Sequence, residues 1–341
     1  MAVTGHKFCH NAYGQAFMAT ADFQLNWHSK GAKRIMLGVA IGLVALYAIV
    51  PQLLGLNVFK QAAWPKHWPD MYISLGYFLV TFIISAMAIM FLAFRRIRLL
   101  KTVLVQFASV PLNMLLPAGI GNMGVNYMYL RHQHHSAMQS GMVVSANNLL
   151  GLVGNVTILL VLFLVFGFSA PEVKLYWQYV DWIVAGLLLL IILSIVSLKL
   201  LSNHIEHVRN FKRQMIRALV NYRGRPSAFI GAYLCAVAQA LLASLSFWYC
   251  LSAYGIHVAY ASVFLILALS VVVRTGVPTP GGLGGVEASL VAGILATHSA
   301  NLTTALASVL AFRLATYWLP LAAGMVALVL AERIKLLSPA G

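Results

Sequence analysis

Three charged residues interrupt the otherwise uncharged, largely apolar stretch 226–331: Arg274 at the end of one hydrophobic run, Glu287 at the start of the next, and Arg313 inside the last. Between the first two lies Pro278-Thr-Pro-Gly-Gly-Leu-Gly-Gly-Val-Glu-Ala. Two prolines stop the incoming helix. Gly281, Gly282, Gly284 and Gly285 permit backbone conformations and close approaches that side chains forbid. Val286 to Leu295 then restarts as a helix, with free N–H groups and a positive dipole end at the break, an arrangement suited to an anion. The plainer reading of the glycines is a bend that lets helices pack tightly. A charge at the centre of a membrane helix costs roughly 2.5–3.5 kcal/mol on insertion scales, so three of them need a reason. At 1.5 Å per residue, Glu287 lies about 16 Å along its helix from the loop near His298, and Arg313 about 14 Å along the next helix from the same loop. The two can pair near mid-membrane. In many proteins such a pair only fixes packing, but here two arginines against one glutamate leave one excess positive charge. A bound phosphate would neutralise it, with an arginine supplying a planar donor fork.

A second broken segment supplies polar but uncharged groups: Asn113, Asn122 and Asn126, followed by Asn147, Asn148 and Asn155 on the next apolar run. Membrane asparagines commonly hydrogen-bond one helix to another; lining a hydrophilic groove is the functional alternative. Arg131, His132, His134 and His135 form a cluster with no carboxylate or cysteine beside it, and read as solvated interfacial residues rather than metal ligands. His6, Cys9 and His10 read the same way. Neither a metal nor a cofactor is expected.

The elements that must position these residues follow from composition. The chain has 341 residues, 61% hydrophobic and 9% charged. A soluble domain carries about 25% charged residues, so the chain reads as an all-α polytopic membrane protein. Its formal charge of +16, from 23 Lys+Arg and 7 Asp+Glu, would suggest nucleic acid only in a soluble protein. Intrinsic disorder and a disulfide scaffold are excluded by the same composition. Cys235 and Cys250, in one expected helix, are about 22 Å apart at 1.5 Å per residue and cannot bond. Six segments are long enough to cross, at 35–56, 71–94, 140–168, 179–200, 227–252 and 305–331. Residues 102–130 and 258–297 are apolar runs broken by proline, glycine and polar residues. Such breaks are tolerated at membrane depth only where neighbouring protein satisfies the freed backbone. Both are expected to be discontinuous hairpins, re-entrant by preference, although two short full crossings would give the same parity.

Positive charge tests this layout. With 102–130 entering and leaving on one side, eighteen Lys and Arg fall inside, three (Lys60, Lys66, Lys174) fall outside, and Arg274 and Arg313 stay within the membrane. Both termini are then cytoplasmic in a multi-pass protein of the cytoplasmic (inner) membrane. The order span, hairpin, span occurs twice with opposite orientation, an inverted repeat of the sort that places transporter sites where half-helices meet. The organisation is an N-terminal cytoplasmic or interfacial segment (1–34), a single transmembrane domain (35–335) with halves 35–200 and 226–335 around a basic loop (201–225), and a short tail (336–341). The basic loop is expected to meet anionic lipid headgroups. The first apolar run starts too far from Met1 for a cleaved signal peptide and reads as a retained span.

The block Pro280-Gly-Gly-Leu-Gly-Gly-Val-Glu287, then Ala305–Ala311 and Arg313-Leu-Ala-Thr-Tyr317-Trp-Leu-Pro320-Leu-Ala-Ala-Gly324, resembles the membrane region of lysylphosphatidylglycerol synthases. Asn113-Met-Leu-Leu-Pro117-Ala-Gly-Ile-Gly121 is similar to that family's first break, and the resemblance spans residues 35–335. Stand-alone members are flippase-like membrane proteins. Two-domain members add a cytosolic synthase domain, so the resemblance implies translocation without the transferase, with Glu287 and Arg313 handling the headgroup. Members often carry charges just after the first break, where this chain has Gly119, Asn122 and Asn126. The resemblance thus leaves an anionic phospholipid, an aminoacylated one and a polyprenyl phosphate all open. The expected function is lipid translocation, not catalysis. The alternatives are a membrane-embedded transferase on a lipid-linked substrate, which would want an acid/base pair or metal carboxylates, and a non-catalytic partner of a lipid-modifying enzyme. Expected partners are membrane lipids, with a second copy or a lipid-synthesis enzyme as further candidates, and no nucleic acid. No Walker A motif is present, so movement would draw on a gradient or be passive.

Overall fold

A computed structural model describes residues 64–115, 120–166, 224–276, 280–334 and 336–337, all within one compact unit, Ala62–Gly341. The N-terminal segment, the expected spans 35–56 and 179–200, the basic loop up to residue 223, and Pro117, Gly119 and Pro278 of the two breaks lie outside the described residues. Those described are helical throughout, in eight helices: α1 (Trp68–Leu92), α2 (Leu99–Leu115), α3 (Ile120–His132), α4 (Ala137–Phe166), α5 (Pro226–Ala253), α6 (Tyr260–Gly276), α7 (Gly285–Ala296) and α8 (Leu302–Arg333). Four of them, α1, α4, α5 and α8, are long and apolar enough to cross a membrane. Each begins within about three residues of the expected span, because local chemistry starts it there. Proline occupies the first turn of α1 and α5, where its missing N–H costs nothing. Ser136 and Gln139 form a reciprocal capping box ahead of α4 (3.1 and 3.0 Å). Asn301 caps α8 by accepting from the Thr304 N–H at 2.8 Å.

Residues 102–130 and 258–297 are each a helix, a break and a second helix packed against the first. The chain thus runs twice through the same order. A long helix and a six-residue linker lead to a 17-residue helix, a break, a helix of 13 or 12 residues, a short turn and another long helix.

The long helices α1 and α5 cross antiparallel. Ser74 Oγ donates to the Ser246 carbonyl at 2.6 Å and Ser246 Oγ donates back to the Ser74 carbonyl at 2.8 Å. Tyr77 and Tyr249 stack beside them with centroids 5.4 Å apart. At one end of the pair the Lys66 and His67 N–H groups share the Ala253 carbonyl; at the other, Arg225 donates to the Ala93 carbonyl at 3.2 Å. Gly231 lets α5 approach closely there, since a Cβ on it would come 2.9 Å from the Phe91 ring. In lipid no hydrophobic force draws helices together, so small residues and mutual hydrogen bonds do that work at about 1 kcal/mol per bond. Trp64, Trp68 and Tyr72, all exposed with centroids 6.0 and 6.1 Å apart, run up the start of α1. Arg95, Arg96 and Arg98 lie exposed beyond its far end.

Helix α2 carries Pro111 in its interior, which removes one N–H and leaves the Phe107 carbonyl without its usual helical donor. Helix α8 packs at this point through Gly324, where a Cβ would fall 2.6 Å from the Phe107 oxygen and 2.8 Å from the proline ring. A buried cluster including Ile89, Leu92, Val105, Tyr129, Leu130 and Ala331 joins α1, α2, α3 and α8 at the basic end.

One expectation is corrected here. His135 is not a solvated interfacial residue: it is 1% exposed. Its Nε2 accepts from the Arg95 N–H at 3.2 Å, so its Nδ1–H faces the Leu130 carbonyl, also at 3.2 Å, while Arg131 donates to the His135 carbonyl at 2.9 Å. Both ring nitrogens are occupied in joining the α1–α2 linker to the α3–α4 turn. Burial pushes the His135 pKa below 6.5, with Arg95 adding to the effect. The unfolded chain therefore binds the proton more readily. The stability due to neutral His135 is complete above pH 6.5 and is lost as the pH falls below it. Thermal unfolding in detergent between pH 7.5 and 5 should show the midpoint falling on acidification, and His135→Gln should flatten that slope.

Candidate functional site

The two hairpins deal with their polar groups differently. In the first, one face of α2 and one face of α3 form a polar seam. Ser85 of α1 donates to Gln106 Oε1 at 3.1 Å; Gln106 Nε2 donates to Asn126 Oδ1 at 2.8 Å; Asn126 Nδ2 donates to Asn122 Oδ1 at 2.7 Å and to its carbonyl at 2.9 Å. Thr102 and Tyr129 pair one turn further on, at 3.0 Å. Asn126 is thereby buried and fully engaged, and Asn122 is half-buried beside it. Asn113, near the end of α2, has a buried Oδ1 with no hydrogen-bond partner among the described residues. The helices meet closely here, because a Cβ on Gly121 would strike the Leu112 carbonyl and the Asn113 nitrogen. Ser85 and Gln106 were not singled out in the sequence. Gln106, Ser109 and Asn113 share a face of α2 by their spacing, and that periodicity was the available signal.

The second hairpin is built around charge. Its break holds a 3-10 turn, Pro280–Gly282, against which α2 also packs. Gly281, Gly282 and Gly284 all have positive φ (65°, 72° and 85°), open to glycine and strained for other residues. Space is equally short. A Cβ on Gly281 would enter the Tyr317 ring, and one on Gly282 would lie 2.9 Å from Val286 and 3.0 Å from Arg274. Helix α7 starts at Gly285, and its third residue, Glu287, turns back so that Oε2 accepts from the Gly284 N–H at 2.7 Å. The other oxygen, Oε1, accepts from Arg313 Nε at 2.6 Å, with both side chains about one-tenth exposed. The pairing expected from depth along the two helices is therefore present.

Arg313 is held on two further sides. Its guanidinium lies 4.3 Å from the centroid of the Tyr317 ring, and Nη2 reaches towards the Gly281 carbonyl at 3.5 Å. Helix α8 opens into a π-turn over Leu314–Trp318 directly after Arg313. Such turns recur at functional sites and here set Tyr317 between the cation and the glycine turn. Tyr317 was missed as a site residue, although an aromatic four residues after an arginine lies on the same helix face. Arg274 stands at the third-last position of α6 with its backbone against Gly282, exposed and close enough to Arg313 for the two cations to repel. Thus Arg274, Gly281, Gly282, Gly284, Gly285, Glu287 and Arg313 gather at one break. Asn122 and Asn126 belong to the seam of the other hairpin. Asn147 is half-buried, whereas Asn148 and Asn155 are exposed on α4 and bond carbonyls of their own helix (3.1 and 3.0 Å).

Two outcomes test this geometry. Gly281→Ala must strain a positive φ and displace Tyr317, at a cost of about 1–3 kcal/mol for the backbone alone; the unfolding midpoint in detergent should drop. Glu287→Gln leaves a buried guanidinium unneutralised and should cost about 3 kcal/mol, whereas Glu287→Gln with Arg313→Gln should recover part of that loss. A double-mutant cycle on thermal unfolding checks the coupling.

No curated protein matches the chain at a significant level. The family model described as the lysylphosphatidylglycerol synthase TM region matches residues 35–324, which include both hairpins, the glycine break and the Glu287–Arg313 pair. The match covers most of the chain, and the long apolar helices agree with its membrane character. On these grounds the chain is a multi-pass membrane protein that belongs to the lysylphosphatidylglycerol synthase transmembrane-region family.

Proposed function

We propose that the chain moves a lipid across the cytoplasmic membrane, holding a phosphate-bearing headgroup at the second break while the acyl chains stay in the bilayer. One observation carries the reading. Glu287 neutralises Arg313, and among the described residues Arg274 is the cation left over at the break, exposed at its mouth beside Gly282. An uncompensated charge at membrane depth is costly, and a phosphate would remove that cost while accepting the arginine's donor fork. Transport rather than covalent catalysis is favoured because both oxygens of Glu287 already accept structural hydrogen bonds. An acid–base catalyst needs a free group within reach of the reacting atoms.

The membrane layout proposed with this function is an inverted repeat with re-entrant hairpins. Its support lies in helix length and end chemistry. At 1.5 Å per residue, α2 and α6 are about 25 Å long and α3 and α7 about 18–20 Å, all short of a hydrocarbon core of about 30 Å. The aromatic ladder Trp64, Trp68 and Tyr72 at one end of α1 and the arginines at the other suit an outer interface and a cytoplasmic face. In this reading both termini are cytoplasmic, the partners are membrane lipids, and anionic headgroups gather at the basic face. The lipid is an anionic phospholipid, an aminoacylated one or a polyprenyl phosphate.

Proteoliposomes carrying a tail-labelled phosphatidylglycerol, with a membrane-impermeant quencher outside, test the assignment. Arg274→Gln, Glu287→Gln and Arg313→Ala should each lower the rate of headgroup transfer at least tenfold. Arg274→Gln should do so without lowering the unfolding midpoint, because it removes a cation that is repelled by Arg313. Wild-type rates in all three would remove the site.

A further inference from the structure

Helix α8 is one helix in outline, but its two parts pack on different hairpins. The first part, Leu302–Arg313, lies against α7 and is tied to it through the Glu287–Arg313 pair. It also rests on α5, through the tilted Phe247–Phe312 rings with centroids 4.7 Å apart and a long bond from Cys250 Sγ to the Ser308 carbonyl at 3.5 Å. A thiol is a weak donor. The last part, Leu319–Arg333, lies against α2, and its Ala327 and Ala331 enter the buried cluster with Ile89, Val105, Tyr129 and Val143. The close approach of Gly324 to the Phe107 carbonyl holds it there. A single helix therefore joins the second hairpin to the first.

Between these parts the helix departs from regularity in several ways at once. Leu314–Trp318 is the π-turn, which the Leu319 N–H closes onto the Leu314 carbonyl. Thr316 Oγ donates to the Phe312 carbonyl at 2.8 Å, a back-bond of the sort that bends helices. Pro320 opens the last part and brings no N–H, so the main-chain ladder loses a bond at the same place. Bends in long helices concentrate at prolines and π-turns, and in lipid a nearby hydroxyl and a widened turn make such a fault tolerable. One side of this joint is open, since Leu314 and Leu319 are both exposed.

The joint borders the charged break. Arg313 is the residue before it, and Tyr317 within it lies against Gly281. The glycine turn Pro280–Gly282 packs in its turn against α2, so a headgroup passing between the two hairpins requires that contact to part. We propose that α8 bends at Leu314–Pro320, and that the bend swings Leu302–Arg313, α7 and the glycine turn away from α2 to open that passage. The ion pair travels inside the moving part. Glu287 and Arg313 stay closed on each other, and the motion separates no buried charges, which would be costly. The passage rests on the transport reading above; the joint does not.

Spin labels on two exposed leucines measure the swing: Leu302→Cys at the tip of the moving part and Leu160→Cys on α4. The full chain carries them in nanodiscs of phosphatidylglycerol and phosphatidylcholine, with Cys9 and Cys235 replaced by alanine and Cys250 by serine, which keeps a donor for Ser308. At 1.5 Å per residue Leu302 lies about 18 Å from the joint, so a bend of about 20° carries it sideways by about 6 Å. Double electron–electron resonance should show two distances separated by about that amount. Pro320→Ala, which gives the N–H back, should leave one distance and slow headgroup transfer in proteoliposomes about tenfold. Thr316→Val removes the back-bond and should act the same way, which keeps the test intact if Pro320→Ala does not fold. A single distance in the labelled parent chain, or both distances with undiminished transfer in the two variants, overturns the joint. Collapse to one distance with undiminished transfer overturns the passage. Two distances that collapse in the variants of a chain that moves no lipid uphold the joint and remove the transport reading.

Discussion

The guanidinium of Arg313 sits where water cannot neutralise it, and the architecture of the second hairpin follows from that constraint. Its charge is met by Glu287 at 2.6 Å, its face by the Tyr317 ring, and one edge by the Gly281 carbonyl. Each partner imposes a condition on the backbone. Glu287 reaches the arginine only because α7 begins at Gly285, after a turn of three positive-φ glycines. Tyr317 fits beneath the arginine only because Gly281 has no side chain and α8 widens into a π-turn. The glycines therefore serve the ion pair as well as the bend, and tight packing and charge placement are one requirement here. The pair's net contribution is a difference between a large desolvation cost and a large attraction, which explains why so many groups converge on it.

The first hairpin solves the same backbone problem without charge. Its half-helices are joined by amides and hydroxyls from Thr102 to Asn126, and Pro111 exposes a carbonyl that Gly324 of α8 can approach. Hydrogen bonds between membrane helices are individually modest, but a continuous seam satisfies each polar group it brings into the bilayer. The result is a neutral break and a charged one within a single frame, joined through the reciprocal serines at the crossing of α1 and α5.

Much of the plan was legible beforehand. Long apolar stretches with prolines, capping residues and few charges define α1, α4, α5 and α8 to within a few residues, because a bilayer imposes length and composition on whatever crosses it. The two broken segments were equally visible, since the Pro117-Ala-Gly-Ile-Gly121 stretch and the glycine block both interrupt an apolar run, although α2 itself runs through Pro111. The Glu287–Arg313 pair followed from rise per residue along two neighbouring helices. His135 was misread because periodicity places a residue on a face but does not show which loop covers that face. Only the fold brings Arg95 over the ring.

The sequence by itself determined the class of structure, the positions of the breaks and the surplus of positive charge at one of them. These depend on local rules: which residues tolerate lipid, which stop a helix, and how far each residue rises. The tertiary structure decided which charge is spent and which is left over. It set Tyr317 under Arg313, left Arg274 exposed, drew Asn126 into the seam, and left the Asn113 oxygen without a partner among the described residues. Those outcomes depend on contacts between helices far apart in the chain, where an ångström of approach separates a satisfied group from an unsatisfied one. No spacing along a single helix contains that information.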